Sequence, residues 1–495
     1  MVKKTLLAVL AMAMACQINA QQITGQVNAT WSPDGDRCVA DVTGRFNAIR
    51  VRGDDLGFNL GVITRGQKTT AFGLLDGAHW QGIQRLKGGN GQYIAVSQSF
   101  DPAGRGGLGI VQMASRNASQ ARFRSNRLSF STIQLTAPPA TDRGIAYIQA
   151  ISAATGNIYG HAGGMQAYGN FLTLPVEEKI QGGNAAVNSE LLFFDVSNPA
   201  VPTQLAFSIA RPETKAGTSA LARLSDGRYL AMVEGGKKLH FYLSSSTSLA
   251  SPTTQFSLAA TWEQGVQGLQ PGSVDNTFGN YQAYTFIVQC DGKLFMIASN
   301  NDSPLAGRLS LEDWIDLYEV TLTSGNASAG LRKASNRHVY CADAAARTCN
   351  LQAGGGAYVT MDGDLSFYAT EHFNDGPAAS VSFSEFSAEP TSCATINDAW
   401  VEIFDDRGFA DRTVFVDYAD RNLRRYDNYN NLEGFNDKAS SVRYCLPSGN
   451  SYILYNNNTY SGSIVTLNGT GAVGSIYDLG AIGFGDKLSS SRFVP

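Results

Sequence analysis

Phe435-Asn436-Asp437-Lys438-Ala439-Ser440-Ser441-Val442-Arg443-Tyr444 returns 49 positions later as Phe484-Gly485-Asp486-Lys487-Leu488-Ser489-Ser490-Ser491-Arg492-Phe493. An earlier pair matches as well: Phe404-Asp405-Asp406-Arg407-Gly408-Phe409-Ala410-Asp411 against Tyr455-Asn456-Asn457-Asn458-Thr459-Tyr460-Ser461-Gly462, 51 positions apart. Residues 397–495 are therefore two copies of one half-motif. An aromatic, four residues, a second aromatic and then x-Gly predict a folded hairpin whose Gly takes a backbone angle that other residues avoid. The later Asp-Lys-x-Ser-Ser run puts oxygen side chains on a tight loop.

Calcium is a hard cation that takes six to eight oxygens from carboxylates, hydroxyls, carbonyls and water. Each half offers an Asp, a Ser and exposed carbonyls. On these motifs the region resembles the βγ-crystallin family in its microbial calcium-binding form, two Greek-key motifs packed as a sandwich. The resemblance covers about a hundred residues and no more. It implies that Asp437 and Asp486 are side-chain ligands of Ca2+, and that Ser440 and Ser489 give their hydroxyls across to the opposite site. It further implies backbone carbonyl ligands from Lys438 and Lys487 and, in the hairpins, from Asp405 and Asn456, with Asn436 bracing its own loop. Two positions depart from the pattern: Gly485 stands where the second loop should begin with Asn or Asp, and Asp411 replaces the first hairpin's Gly. The rival reading is a pair of Asp- and Ser-rich turns with no ion.

Upstream, a tight-turn signal lies between two apolar strands at six places, centred on Gly35, Gly91, Gly169, Gly227, Gly292 and Gly363. Five of the six are followed by a third apolar strand, beginning at Leu108, Leu191, Leu239, Ile315 and Val381, and FNAIRV from Phe46 is the candidate for the first unit. Strand–turn–strand–strand at a long, loose period is the sequence shape of β-propeller blades, each burying its faces by stacking on its neighbours. The expected fold is all-β: a propeller of about six blades over residues 24–390, then a βγ-crystallin-like Greek-key sandwich over 397–495. Five or seven blades stay open, and a pair of β-sandwiches is the rival architecture. Glu389-Pro390-Thr391-Ser392 breaks the strand pattern and sets the join near 388–396.

Residues 1–20, with Lys3 and Lys4 ahead of an apolar run from Leu6 to Ala15, read as a signal peptide cleaved after Ala20. Ala13-Met14-Ala15-Cys16 loosely resembles a lipoprotein box without its usual Leu. No other apolar run approaches the roughly 20 residues of a membrane helix, so no membrane span is expected. An exported protein results, periplasmic, on the cell surface or extracellular. Six cysteines remain after the leader, giving up to three disulfides, with Cys341–Cys349 the best local pair and Cys393–Cys445 a tie across the last domain.

The whole chain of 495 residues is 43% apolar and only 16% charged, with 38 Lys+Arg against 42 Asp+Glu. That balance offers no basic field for a polyphosphate, so nucleic acid is excluded as a partner. No GxSxG, HExxH, P-loop, CxxC or complete EF-hand series occurs. If the units are blades, the start of a first strand and the end of a second lie on one rim. His79 and His161 then fall near Glu177, Glu234, Glu371 and His372, where imidazoles and carboxylates hold a metal or act as acid and base on a glycan. The bland reading is polar residues ending strands at a wet rim. Trp31, Trp80, Trp262 and Trp314 are read as packing rather than as sugar platforms. Two functions compete: a secreted calcium-binding protein whose propeller binds a glycan or protein ligand, and an exported propeller hydrolase or lyase acting on a glycan.

Overall fold

The structure is a computed structural model. It describes residues 29–495 apart from 36, 52, 60–78, 100–105, 114–142, 154, 179–187, 213, 301–311, 324–327, 341–348, 350, 352–353, 371–379, 389–391, 410–412, 418–428 and 430–434.

Nearly everything described is strand. The first sheet takes His79–Leu86, Tyr93–Ser99, Gly107–Gln112 and Arg143–Gln149 in sequence order. The second begins with the short His161–Ala162 and Gln166–Tyr168, then adds Phe171–Glu177, Asn188–Asp195 and Thr203–Pro212. Thr218–Leu224, Tyr229–Gly235, Lys238–Ser244 and Phe256–Glu263 make the third. Ala283–Val288, Leu294–Asn300, Glu312–Thr323 and Ser328–Tyr340 make the fourth, joined to the third by a single parallel bridge, Thr261 to Ser328. The fifth has Gly355–Val359, Leu365–Thr370 and Ser380–Ser387, and its outermost strand is Asp54–Asn59 from the other end of the chain.

The first strands of these sheets touch in cyclic order, first to second to third to fourth to fifth and back to the first. Apolar clusters fill the gaps between sheets. Trp80, Ile83 and Val96 meet Tyr368 and Phe383 between the first and fifth; Ile110 and Leu108 meet Leu172 and Phe194 between the first and second. A sheet with two apolar faces has to be covered on both, and a ring meets that demand for every member. Trp31, Trp80 and Trp262 are buried in these clusters, as their packing role requires, and the Trp314 ring meets His338 in a tilted contact at 5.2 Å between centroids.

Six units were expected; among the described residues there are five of this kind, each of four or five strands, the third and fourth being continuous through the Thr261–Ser328 bridge. Gly91, Gly169, Gly227, Gly292 and Gly363 all sit at positive φ in the turns the spacing marks. Gly35 has the same turn geometry, φ 62°, yet starts no sheet. Trp31–Ser32 pairs only with Leu224 and Arg223, and Asp41 then caps a short helix, Val42–Asn47, its carboxylate accepting from the Gly44 amide. FNAIRV is thus split between that helix and an extended crossing, where no third strand forms.

The disulfides are Cys38–Cys290, which pins the N-terminal crossing to the fourth sheet, and Cys393–Cys445, as expected. Cys349 is disulfide-bonded as well, and its expected partner Cys341 lies outside the described residues.

The C-terminal unit has two sheets. One runs Thr413–Asp417, Trp400–Phe404, Ser441–Cys445, Val473–Ile476; the other runs Ser461–Asn468, Ser451–Asn457, Ser490–Val494. Val473–Ile476 belongs to the second half by sequence but pairs with Ser441–Cys445 of the first, a Greek-key exchange. Val401, Val442, Tyr452, Leu454, Phe435, Phe484 and Leu488 fill the space between the sheets.

The N-terminal crossing touches this unit. The Val51 amide donates to Glu402 Oε1 at 2.9 Å, Val51 packs on Phe404, and the Arg50 guanidinium lies 4.5 Å over the Phe415 ring. Arg337 donates to the Ile49 carbonyl; burial and then the Arg443 charge pull its guanidinium down to about 10, against the pull of Glu402. Glu402 is 1% exposed, accepts from the buried Val51 amide and supplies a negative charge to the buried Arg337 guanidinium. Glu402→Ala is therefore expected to cost about 2–4 kcal/mol in urea unfolding, because it strands both kinds of partner. Glu402→Gln, which keeps the acceptor, is expected to cost less than half as much.

Candidate functional site

The two Asp/Ser loops lie against each other and are zipped by their backbones. The Asp437 amide donates to the Leu488 carbonyl and the Asp486 amide to the Ala439 carbonyl, each at 3.0 Å. Both aspartates hold positive φ, 57° and 53°, a region that Asp tolerates better than most residues. The side chains cross between the loops. Ser440 Oγ donates to Asp486 Oδ1 at 3.0 Å, and Ser489 Oγ donates to Asp437 Oδ1 at 3.3 Å. Asn436 braces its loop, its Nδ2 donating to Asp437 Oδ2 at 2.7 Å, while its Oδ1 is buried without a partner among the described residues. Gly485 cannot supply that brace to the second loop.

The second serine of each pair has a separate task that the motif spacing does not announce. Ser441 Oγ donates to the Asp406 carbonyl at 2.6 Å and accepts from the Phe409 amide at 3.0 Å. Ser490 Oγ repeats this with the Asn457 carbonyl at 2.6 Å and the Tyr460 amide at 3.1 Å. The first serine thus faces the opposite loop and the second holds its own hairpin. In the hairpins, Phe404 meets Phe409 and Tyr455 meets Tyr460 edge-to-face at 5.6 and 5.9 Å. Phe409, Thr459 and Tyr460 take positive φ, a strained state held by these contacts. Asn456 uses its side-chain oxygen to accept from the Ser463 amide.

A carboxylate and a hydroxyl oxygen about 3 Å apart have the spacing of neighbouring ligands on an ion whose metal–oxygen distances are about 2.3–2.6 Å. The oxygen-only donor set suits a hard cation. Among the described residues no group of three or more His, Cys, Asp and Glu converges, so each loop pair would rely on one carboxylate and neutral oxygens.

The residues expected at the ring's rim divide three ways. Glu371 and His372 lie outside the described residues, and His79 opens its strand opposite Ser99. His161, Glu177 and Glu234 come together where the second and third sheets meet. His161 stands opposite Glu177 in register, with Nδ1 3.6 Å from Oε2. Glu177 Oε1 accepts from the Ala216 amide at 2.6 Å. Glu234 lies opposite Thr218, its carboxyl beside Gly217, where an added Cβ would stand 2.8 Å from Oε2. Burial and then the Glu177 charge push the Glu234 carboxyl up to about 8, against the pull of Arg211 and Lys215. Arg211, a neighbour the sequence pattern did not mark, places Nη2 2.8 Å from His240 Nδ1, and burial with the Arg211 charge lowers that imidazole to about 4. The arrangement sets a carboxyl that burial makes harder to ionise beside one that accepts from a backbone amide.

No family model matches the chain, and no curated protein is significantly similar to it. Among solved structures, similar ones include the N-terminal domain of protein S, 22% identical over 19% of this chain and 96% of that one, with a TM-score of 0.16. A βγ-crystallin domain from Clostridium beijerinckii is 20% identical over 19% of this chain and 94% of its own, TM-score 0.15. One from Flavobacterium johnsoniae is 21% identical over 19% and 92%, TM-score 0.15.

The rim pair makes stability depend on pH in a defined direction. Glu234 binds its proton more tightly in the folded chain, about 8 against 4.5, so the folded state loses stability as pH rises through that window. His240 has the opposite sign, its contribution vanishing as pH falls from 6.5 to about 4, and is neutral in both states above that. Between pH 6.5 and 8, then, Glu234→Gln is expected to flatten the decline of the melting temperature and to raise it by about 2 °C or more at the upper end. Parallel slopes for wild type and variant would contradict the assignment.

Proposed function

We propose that the chain is an exported calcium-binding protein in which a five-bladed β-propeller, residues 24–390, carries a βγ-crystallin-type module, residues 397–495. The crossed contacts of Ser440 with Asp486 and of Ser489 with Asp437 support this reading most directly. They bring the carboxylate of one half and the hydroxyl of the other to one point, twice. Asp437 and Ser489 would hold one ion, Asp486 and Ser440 the other, with backbone carbonyls of Lys438, Lys487, Asp405 and Asn456 completing the shells. Calcium would then supply a charge that offsets the carboxylates and a bond that ties the halves together. The disulfides Cys38–Cys290 and Cys393–Cys445 suit an oxidising compartment, in keeping with an exported chain and a leader at 1–20. On this reading the propeller offers its rim to a glycan or protein ligand. The second reading, a glycan hydrolase or lyase, is favoured by one observation, the raised Glu234 carboxyl beside Glu177.

Binding to the native state alone adds RT ln(1 + [L]/Kd), about 2.7 kcal/mol at a hundredfold excess over Kd. Melting the full chain in excess calcium and again in chelator is expected to show a transition that moves up by several degrees with the ion. Asp437→Ala and Asp486→Ala are each expected to remove part of the shift and the pair all of it. Coincident wild-type curves would overturn the calcium reading.

A further inference from the structure

The mouth of the ring opposite the Glu177 rim holds a small cavity, about 40 Å³. It lies where the first strands end, and the N-terminal crossing reaches it with Asp34 and Arg37. Three cations line it, Arg37, Arg85 and Lys87, against one carboxylate, Asp34. Two of the cations have anionic partners. Lys87 Nζ is 2.9 Å from Asp34 Oδ1, and Arg85 Nη1 is 3.8 Å from a carboxylate oxygen of the fully buried Glu385. Arg37 is only 9% exposed, yet among the described residues it forms no ion pair, the cavity's Asp34 being taken by Lys87. Its Nη1 donates to the Tyr358 hydroxyl, and its guanidinium stands 5.2 Å from the centre of that ring.

A second group in the same cavity is left short. Gln84 is 1% exposed and spends its Nε2 on the carbonyls of Arg85 and Ala357, at 3.0 and 2.9 Å. Its Oε1 is buried with no partner among the described residues. A buried guanidinium without a counter-charge is costly, and so is a buried acceptor without a donor. Water could serve the amide oxygen but brings no charge to the arginine. Both needs are met by one kind of guest. We infer that this cavity is a binding site for a small oxyanion that carries a hydroxyl, its charged oxygens on Arg37 and Lys87 and its hydroxyl donating to Gln84 Oε1. A site of this volume admits a guest of a few heavy atoms, of the size of hydrogenphosphate or a short hydroxycarboxylate. The inference does not depend on the calcium reading, since it concerns other residues and a ligand of opposite charge.

The test uses the full chain in a buffer free of phosphate and carboxylate, with sodium salts at matched ionic strength. Melting curves are taken with phosphate, glycolate, acetate and chloride, and the heat of binding is titrated for whichever anion stabilises. Phosphate or glycolate is expected to raise the melting temperature by about 2 °C or more over chloride, with acetate, which lacks the hydroxyl, falling short. Titration is expected to give one site per chain, and Arg37→Gln is expected to weaken it about tenfold or more. Gln84→Leu is expected to erase the preference for glycolate over acetate while leaving a charge-driven affinity. No increment over chloride for either anion in the wild type would overturn the inference without any variant. An unchanged affinity in folded Arg37→Gln would overturn it as well.

Discussion

A ring of sheets has a seam, and everything else in this protein depends on how the seam is sealed. The fifth sheet would end at Ser380–Ser387 with a free edge, and an exposed edge invites pairing with other chains. Asp54–Asn59 covers it in antiparallel register, from Asp54 opposite Glu385 to Asn59 opposite Ser380. One end of the chain thus locks onto the other. To reach that edge the N-terminal segment must cross the ring, and the crossing explains three further features. It lays Asp34 and Arg37 over the axial mouth, it meets the fourth sheet through Cys38–Cys290, and it brings Arg50 and Val51 against Phe415, Phe404 and Glu402 of the C-terminal unit.

The polar chemistry follows from that arrangement. At one mouth, where first strands begin, the close approach of Gly163, Gly164 and Gly217 lets the second and third sheets meet with His161, Glu177 and Glu234 between them. An added Cβ on Gly163 would stand 1.9 Å from the Gly217 carbonyl, so no larger residue fits there. At the other mouth the crossing supplies cations that the ring itself answers only in part. The third polar place, the crossed Asp/Ser loops, sits on a sandwich whose first strand ends in Phe404, and the Phe404 carbonyl accepts from the Ser440 amide at 2.8 Å. The same Phe404 packs on Val51, so the Asp/Ser loops and the ring's closing segment share a contact residue.

Much of this was legible in the sequence, for reasons that can be named. A turn that needs positive φ shows itself as Gly, and five such glycines between apolar strands mark five real sheets. The Asp-Lys-x-Ser-Ser repeat marked the two loops, and their crossed serine–aspartate contacts were implied by the family resemblance rather than by the spacing itself. What misled was Gly35: a turn signal is local, and whether its flanks join a sheet depends on partners far away in sequence. Asp54–Asn59 was silent for the same reason, since a closing strand is defined by Ser380–Ser387, not by its own pattern. Arg37 and Gln84 were silent too, because a missing counter-charge or a missing donor counts only once burial has removed water. Cys38–Cys290 joins residues 252 apart, and no spacing rule selects such a pair.

The most direct test is native-state hydrogen exchange across the seam. Amides of Asp54–Asn59 that are bonded to Ser380–Ser387 should exchange only when the whole ring opens, with the same free energy as those of Leu365–Thr370 in the sheet interior. Exchange of Asp54–Asn59 by local fraying, at low free energy and while Leu365–Thr370 stays protected, would contradict the claim that this strand closes the ring.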